Sequence, residues 1–245
     1  MEGTDLRAAA PAATRRNARN GDFSDPREPA LRRCLGWLPD DRFRDLVGVS
    51  KIERVRPRAI INVSRDMVRF VLEGAVRVQY AAGPRGAKVV LIIGRGGLLS
   101  KLFFKNAPKV RAQAMTHCAL LTLPRKPFLE AVIGTSSDDL DKAINLIFGP
   151  VLDLLARYWQ TLGDRLMVRL AAVLVELARK FGVADSRGTL IDLKLSQRDL
   201  TGMVGCSRQQ LHALLEELAE RQIALRQGRQ LILNVDELKH LARKA

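Results

Sequence analysis

The sequence lacks the features that mark membrane, secreted or disulfide-bonded proteins. No run of about 18 apolar residues occurs, so we expect no membrane-spanning helix. The first 21 residues contain arginines but no hydrophobic stretch, so we expect no secretory signal. The three cysteines, Cys34, Cys118 and Cys206, are far apart and fit neither a disulfide framework nor a metal pair. These absences predict a cytoplasmic protein in a reducing compartment.

The motifs of common enzyme classes are also missing. The sequence contains no paired-carboxylate motif, no nucleophile elbow and no phosphate-binding loop. The glycine-rich stretch at residues 94–97 lies between a predicted strand and a loop, whereas a dinucleotide-binding fingerprint must precede a helix. The sequence therefore argues against an enzyme.

The chain is strongly basic. Its 245 residues include 41 Lys and Arg but only 26 Asp and Glu, which gives a net charge of +15. Most of the excess lies in residues 27–111, which hold 19 basic and seven acidic side chains. Such a charge indicates a polyanionic partner, with nucleic acid first, although a basic solvated face is the alternative. Since 47% of the residues are hydrophobic, the chain can also bury a core.

The first half of the chain has the pattern of an antiparallel β domain. Residues 1–26 show no period and predict a disordered arm, and residues 27–47 predict short helical pieces broken by Pro39. Short runs that alternate apolar and polar residues then follow, separated by Gly and Pro. They favour an antiparallel sandwich or barrel. The predicted strands are Lys51–Val55, Met67–Leu72, Ala75–Tyr80, Lys88–Ile93, Val110–Met115 and Ala119–Leu123.

A long helix is predicted after the strands, over residues 137–163. Its apolar stripe recurs in steps of three and four residues, as in a coiled coil. We therefore expect it to pair with a second copy of itself in a homodimer, although packing on its own barrel is the alternative. Gly149-Pro150 predicts a kink or break. The stripe comprises Leu140, Ile144, Ile147, Val151, Leu154, Tyr158 and Leu162.

The C-terminal third contains the motif most specific for function. The stretch LSQRDLTGMVGCSRQQLHALLEEL, from Leu195 to Leu218, has the spacing of a helix-turn-helix, and Gly205 would allow its tight turn. An amphipathic helix over Asp164–Phe181 precedes it, and a hairpin over residues 223–235, a wing, follows it. The start of the second helix would enter the major groove, and the start of the first would meet phosphates. The candidate DNA-contacting residues are Ser196, Gln197, Arg198, Ser207, Arg208, Gln209, Gln210 and His212.

The order of elements resembles that of the cyclic AMP receptor/fumarate–nitrate regulator (Crp/Fnr) family of bacterial transcription factors over about residues 30–243. The chain has a strand-rich half, then a long helix, then this helix-turn-helix motif and a wing. The resemblance implies an α+β chain. Its parts would be an N-terminal double-stranded β-roll of the cupin-like, cyclic-nucleotide-binding type (27–136), a dimerisation helix (137–163) and a C-terminal winged helix-turn-helix (164–245).

The resemblance also implies partners and individual roles. Family members are homodimers that bind palindromic double-stranded DNA, and RNA polymerase is a further expected partner. Arg208 matches the family's base-reading arginine. Gln209 stands where many members have Glu, and Ala213 stands where many have a second base-reading Arg. The operator of this chain is therefore expected to differ from the family's usual site.

The sensor half departs from the cyclic-nucleotide-binding members. Where they bind ribose with a Gly-Glu pair, this chain has Ser100-Lys101, and an ammonium group cannot accept hydrogen bonds. Where they bind the cyclic phosphate with Arg followed by Ser or Thr, it has Lys109-Val110. Leu154-Leu155 stands where small hydroxyl residues would meet adenine. These differences argue against cyclic AMP. The candidate effector residues are Ser100, Lys101, Lys109, Val110, Arg111, Leu154 and Leu155.

The candidate effector region nevertheless stays basic, because it contains Lys101, Lys105, Lys109 and Arg111. Two hypotheses remain open. A different anionic effector, such as a cyclic dinucleotide, binds there, or the pocket is empty and DNA binding is independent of any effector.

Two other sensing modes of such regulators find little support. An iron–sulfur cluster needs clustered N-terminal cysteines, and only Cys34 lies near that end. A haem ligand could come from His117 or Cys118, near Met115, but a lone His or Cys on a strand is more often a packing or surface residue. We therefore assign no metal, and the anionic nucleotide effector considered above is the one cofactor hypothesis. A ligand-binding signalling or adaptor protein, whose helix-turn-helix contacts protein rather than DNA, is the alternative function.

Overall fold

The computed structural model describes residues 25, 27–82, 87–101, 110–133, 138, 141–146, 149 and 166–243. The helices are α1 (Arg27–Leu35), α2 (Asp40–Val49), α3 (Arg125–Ile133), α4 (Leu166–Phe181), α5 (Gln197–Val204), α6 (Arg208–Glu220) and α7 (Val235–Ala242). The strands are β1 (Lys51–Val55), β2 (Ile60–Ile61), β3 (Met67–Glu73), β4 (Val76–Ala82), β5 (Ala87–Ile93), β6 (Leu98–Ser100), β7 (Val110–Ala114), β8 (Cys118–Pro124), β9 (Gly182–Asp185), β10 (Gly188–Ile191), β11 (Ala224–Gln227) and β12 (Gln230–Leu233).

The N-terminal half is built on two four-stranded antiparallel sheets. Their strand orders are β1-β8-β3-β6 and β2-β7-β4-β5. The inward side chains of both sheets meet in one buried cluster, to which Val71 and Leu120 come from the first sheet and Val76 and Val78 from the second. All six strands predicted from alternation are present. β2 and β6 were missed, because two or three residues are too short to show a period.

Three helices cover the outer face of the first sheet. Phe43 of α2 and Phe128 of α3 are fully buried there, and Phe128 meets the ring of Phe70 edge to face at 6.0 Å. The predicted break at Pro39 is confirmed, because this residue separates α1 from α2. Proline suits the position before the first helical residue, since it lacks the N–H that a helix interior would need.

The C-terminal unit assembles around the amphipathic helix α4. Its buried face consists of Leu170, Ala171, Leu174, Leu177 and Ala178. A third four-stranded sheet, with the order β11-β12-β10-β9, packs beside it. The hairpin formed by β9 and β10 was missed, because four residues are too few to show a clear period and three of the four residues of β9 are exposed.

The two halves share a buried cluster through β5. On one face of this strand, Leu91 and Ile93 belong to the interior of the two N-terminal sheets. On the other face, Val90 and Ile92 belong to the cluster that contains Leu174 and Leu200 of the C-terminal unit. A strand that packs on both faces has no polar face to give alternation, which explains the continuous apolar sequence VLII from Val90 to Ile93.

Part of the predicted organisation lies outside the described residues. Residues 141–146 are helical, as predicted for the start of the dimerisation helix. Of its apolar stripe only Ile144 is described; the other stripe positions, Pro150 of the predicted break, and the predicted arm at residues 1–26 apart from Asp25 lie outside the described residues. Among the described helices, none is both long and apolar enough to cross a membrane.

Candidate nucleic-acid interface

The first helix of the predicted helix-turn-helix begins at a complete capping box. The Ser196 hydroxyl accepts a hydrogen bond from the backbone N–H of Asp199 at 3.2 Å. In return, Asp199 Oδ2 accepts from the backbone N–H of Ser196 at 3.1 Å and from its hydroxyl at 2.7 Å. This reciprocal arrangement satisfies donors that a helix N-terminus would otherwise leave unpaired. Ser196 and Asp199 stand three residues apart, which is the sequence spacing of a capping box.

The second helix, α6, begins in the same way after a tight turn. Gly205 closes α5 in the left-handed conformation, with φ 72° and ψ 44°, which glycine adopts without strain. The Ser207 hydroxyl accepts from the backbone N–H of Gln210 at 3.2 Å, and Gln210 Oε1 accepts from the backbone N–H of Ser207 at 2.9 Å. The first residue of α6 is therefore Arg208.

Apolar contacts fix the two helices against each other. Leu200 and Val204 of α5 and Leu211 and Leu218 of α6 are buried in one cluster. Leu214 and Leu215 are only partly buried and pack against the edge of this cluster. The opposite side of the first turns of α6 is consequently turned to solvent.

The residues predicted to read bases lie on this solvent side. Arg208, Gln209 and His212 are all exposed. His212 Nδ1 lies 3.0 Å from a carboxylate oxygen of Glu216, one turn further along the helix. Since Arg and Gln side chains can pair in bidentate fashion with guanine and adenine, this face has the chemistry for reading base edges.

Three other candidates have side-chain atoms engaged within the protein. The hydroxyls of Ser196 and Ser207 belong to the two helix caps, and so does the Gln210 side-chain oxygen. A bidentate contact from Gln210 to adenine would compete with its bond to Ser207, which the sequence did not reveal. Gln197 is half-buried at the start of α5, and Arg198 beside it is exposed.

The wing adds residues that sequence reasoning missed. A cleft of about 180 Å³ lies between α5, α6 and the wing strands, and Gln197, His212 and Arg226 contribute to its walls. Arg226 donates to the backbone carbonyl of Gly228 at 3.2 Å in the turn of the hairpin. Arg229 next to it is exposed. Two arginines that flank a turn glycine were a visible signal for a cationic wing tip.

Comparisons with known proteins agree with this geometry. A family model described as the Crp-like helix-turn-helix domain matches residues 168–241. The solved structure of a CRP/FNR-family transcriptional regulator from Thermus thermophilus is 22% identical. Its TM-score is 0.63, and the match covers 79% of this chain and 99% of that chain. FixK2 from Bradyrhizobium japonicum is also 22% identical, with a TM-score of 0.64 and coverage of 80% and 99%.

A third solved structure is a c-di-GMP responsive global regulator, CLP from Xanthomonas campestris. It is 19% identical, with a TM-score of 0.60, and the match covers 79% of this chain and 97% of that chain. No curated protein sequence matches this chain.

The chain has the Crp/Fnr fold and carries a Crp-like helix-turn-helix domain. The resemblance seen in the sequence is thereby confirmed, and so is the fold class. In this Crp/Fnr fold the two N-terminal sheets are the β-roll, and α4 to α7 with β9 to β12 form the winged helix-turn-helix.

The β-roll places the candidate effector residues on different faces. Ser100 is buried at the end of β6, and Lys101 follows it half-exposed. On β7, Val110 packs against the interior cluster of the roll, whereas Arg111 is exposed. Successive strand residues point to opposite faces, so the Arg111 side chain lies on the face opposite that of Val110. Lys109, Leu154 and Leu155 lie outside the described residues.

The cysteines and His117 also have defined places in this Crp/Fnr fold. His117 is exposed, and the buried Cys118 thiol lies 3.4 Å from the backbone carbonyl oxygen of Ala75, to which it donates. Cys206, in the turn between α5 and α6, is half-buried, and this burial raises the pKa of its thiol. Burial also raises the pKa of the Cys34 thiol, to about 11.

Proposed function

We propose that the chain is a sequence-specific DNA-binding transcriptional regulator that acts as a homodimer on a palindromic site. The observation that carries the proposal is the exposed first turn of α6, where Arg208, Gln209 and His212 face solvent. A capping box at Ser207 and the buried Leu211 and Leu218 hold the same turn rigid. A rigid polar helix end on an apolar base suits insertion into a major groove.

Base reading and backbone contact fall to different residues. Arg208 and Gln209 read bases, with His212 beside them, and Arg198 and the N-terminal ends of α5 and α6 contact phosphates. Ser196, Gln197, Ser207 and Gln210 border the contact and keep the helix ends in place. The exposed Arg226 and Arg229 of the wing extend this basic edge.

Two copies pair along the helix at residues 137–163 and present their α6 helices to two half-sites. Such half-sites lie about one helical turn, roughly 34 Å, apart. Residues 27–136 act as the sensor domain, and residues 164–245 act as the DNA-binding domain. RNA polymerase is the proposed further partner in the cytoplasm.

The β-roll either binds an anionic effector other than cyclic AMP or acts without one. The half-exposed Lys101 cannot accept the ribose hydrogen bonds that a carboxylate would accept. A cyclic dinucleotide remains the leading anion, since a regulator of the same fold from Xanthomonas campestris is described as c-di-GMP responsive.

The test is selection of binding sites by the purified full-length protein from randomised duplex DNA, without nucleotide and with cyclic mononucleotides or dinucleotides. A palindromic consensus that is bound tightly and lost in Arg208→Ala supports the proposal. A consensus found only with one nucleotide names the effector. Recovery of no consensus under any condition contradicts the proposal and favours the adaptor alternative.

A further inference from the structure

The β-roll and the helix-turn-helix are joined by an ion pair that spans 122 residues of sequence. Arg77 of β4 donates through Nη1 to Asp199 Oδ1 at 2.7 Å. The Asp199 side chain is only 1% exposed and that of Arg77 is 23% exposed. A buried carboxylate is costly without a partner, so α5 is stabilised where Arg77 can reach it.

The same carboxylate serves the DNA-binding motif on its other side. Asp199 Oδ2 accepts the two hydrogen bonds from Ser196 that cap α5. Asp199 thus holds the helix start with one oxygen and the β-roll with the other. Any shift of Arg77 acts directly on the end of α5 next to the exposed Arg198.

Arg77 is itself held by the neighbouring strand. Its Nη2 donates to Gln113 Oε1 on β7, and Gln113 Nε2 donates to the backbone carbonyl of Arg58 at 2.8 Å. Arg77 and Gln113 are paired residues in the β4–β7 register. Val110 of the candidate effector region lies three residues before Gln113 on β7, so a change there has a short path to the ion pair.

Apolar packing surrounds the pair. Val90 and Ile92 lie on the same face of this sheet as Arg77, since Arg77 pairs with Ile92 in the β4–β5 register. Both join the cluster that contains Leu200 of α5. Apolar contacts supply attraction but tolerate sliding, whereas the hydrogen bonds of Arg77 select one orientation.

We propose that Arg77 is a positioning residue that holds the winged helix-turn-helix on the β-roll in the orientation that binds DNA. In the structure the ion pair is formed while Arg208 and Gln209 are exposed, so the paired state leaves the reading face open. A dimer must place its two α6 helices at a fixed spacing on DNA. A helix-turn-helix that is loosely attached to the β-roll loses more orientational entropy when it binds, and this loss lowers the affinity. The inference rests on the proposed DNA-binding function and names the contact through which the β-roll regulates it.

The test compares full-length wild type with Arg77→Met, Asp199→Asn, their double variant and Arg77→Lys. Arg54→Met is the matched control, because Arg54 is an exposed arginine on β1 in the other sheet. Affinity is measured by fluorescence anisotropy on the duplex that the wild type selects. Thermal unfolding and hydrogen exchange of the amides at residues 196–200 are recorded on the same samples.

We expect Arg77→Met to bind about tenfold more weakly than Arg54→Met while remaining folded, and Arg77→Lys to recover part of the loss. The double variant should be no weaker than the weaker single variant, since both remove one interaction. Exchange at residues 196–200 should be faster in Arg77→Met than in the control.

The inference would be overturned if Arg77→Met bound DNA as tightly as Arg54→Met or more tightly. It would also be overturned if the affinity losses of Arg77→Met and Asp199→Asn added up in the double variant. If the wild type selects no duplex, the proposed DNA-binding function is refuted. The contact between Arg77 and Asp199 is tested separately by hydrogen exchange, and unchanged exchange at residues 196–200 in Arg77→Met would refute it. Should Arg77→Met not fold, Arg77→Lys provides the same comparison, because a lysine reaches one partner but cannot span both Asp199 and Gln113 as a guanidinium does.

Discussion

Gly94 and Phe181 meet where the β-roll touches the DNA-binding unit. Gly94 follows β5, Phe181 ends α4, and a Cβ atom built on Gly94 would lie 3.0 Å from two carbons of the phenyl ring. This distance is shorter than ordinary van der Waals contact. Because Gly94 has no side chain, the Phe181 ring can pack directly against the backbone of the β-roll.

A larger side chain at this contact should weaken the folded state. Gly94→Val must displace the Phe181 ring, so we expect a loss of about 1–3 kcal/mol in the free energy of unfolding. Urea unfolding followed by circular dichroism measures it. Gly48→Ala is the control, because a Cβ atom there meets nothing within 4 Å. Equal stability of Gly94→Val and wild type would show that the contact is loose in solution.

Replacement of Arg208 should remove sequence preference. Because Arg208 is exposed at the first turn of α6, Arg208→Ala should cost about 1–3 kcal/mol at the base it contacts and leave non-specific binding almost unchanged. Competition between the selected duplex and a scrambled one measures the effect. Equal losses on both duplexes would assign Arg208 to the phosphate backbone instead.

Replacement of Arg198 should have the opposite signature. A phosphate contact carries no base information, so Arg198→Ala should weaken binding to all duplexes and lower the salt slope by about one. Titrations over a range of salt concentrations measure this slope. A loss confined to one sequence, with the slope unchanged, would contradict the assignment.

The cap of α6 should contribute to stability through Ser207. Ser207→Ala removes the oxygen that accepts from the Gln210 N–H, and we expect a loss of about 1 kcal/mol in the free energy of unfolding. Ser207→Gly should lose only a few tenths of a kcal/mol, since glycine tolerates the cap position. Thermal unfolding of the three proteins checks the order, and a Ser207→Gly variant less stable than Ser207→Ala would contradict it.

The Cys34 thiol should be unreactive near neutral pH. Burial raises its pKa to about 11, so at pH 8 roughly one molecule in a thousand carries the reactive thiolate there. Alkylation by iodoacetamide, followed by mass spectrometry, should be slow in native protein and accelerate as the pH approaches 11. Urea-unfolded protein is the control, and rapid native labelling at pH 8 would show that the thiol is exposed.

Local signals explain why so much of the helix-turn-helix was predictable. Ser196 and Ser207 stand three residues before Asp199 and Gln210, and Gly205 lies between the two helices. Helix caps and turns depend on residues within four positions of each other, so they can be predicted from the local sequence. Short elements such as β2, with two residues, carry no such signal and were found only in the structure.

The candidate site was predictable in its composition but not in all its geometry. The exposure of Arg208 follows from helical periodicity, because Leu211 and Leu218 mark the buried side. The engagement of Gln210 in a cap and the outward face of Arg111 depend on hydrogen-bond choice and strand pairing. Residue types alone do not distinguish these arrangements from their alternatives.

Residue patterns sufficed to predict a basic chain with a β-rich half and a capped helix-turn-helix, because periodicity, helix caps and charge are local properties. How the two halves meet is visible only in the folded chain. Folding brought Arg77 to Asp199 and buried both faces of β5, contacts between residues far apart in the chain. Such contacts arise from the packing of completed elements, which no local pattern encodes.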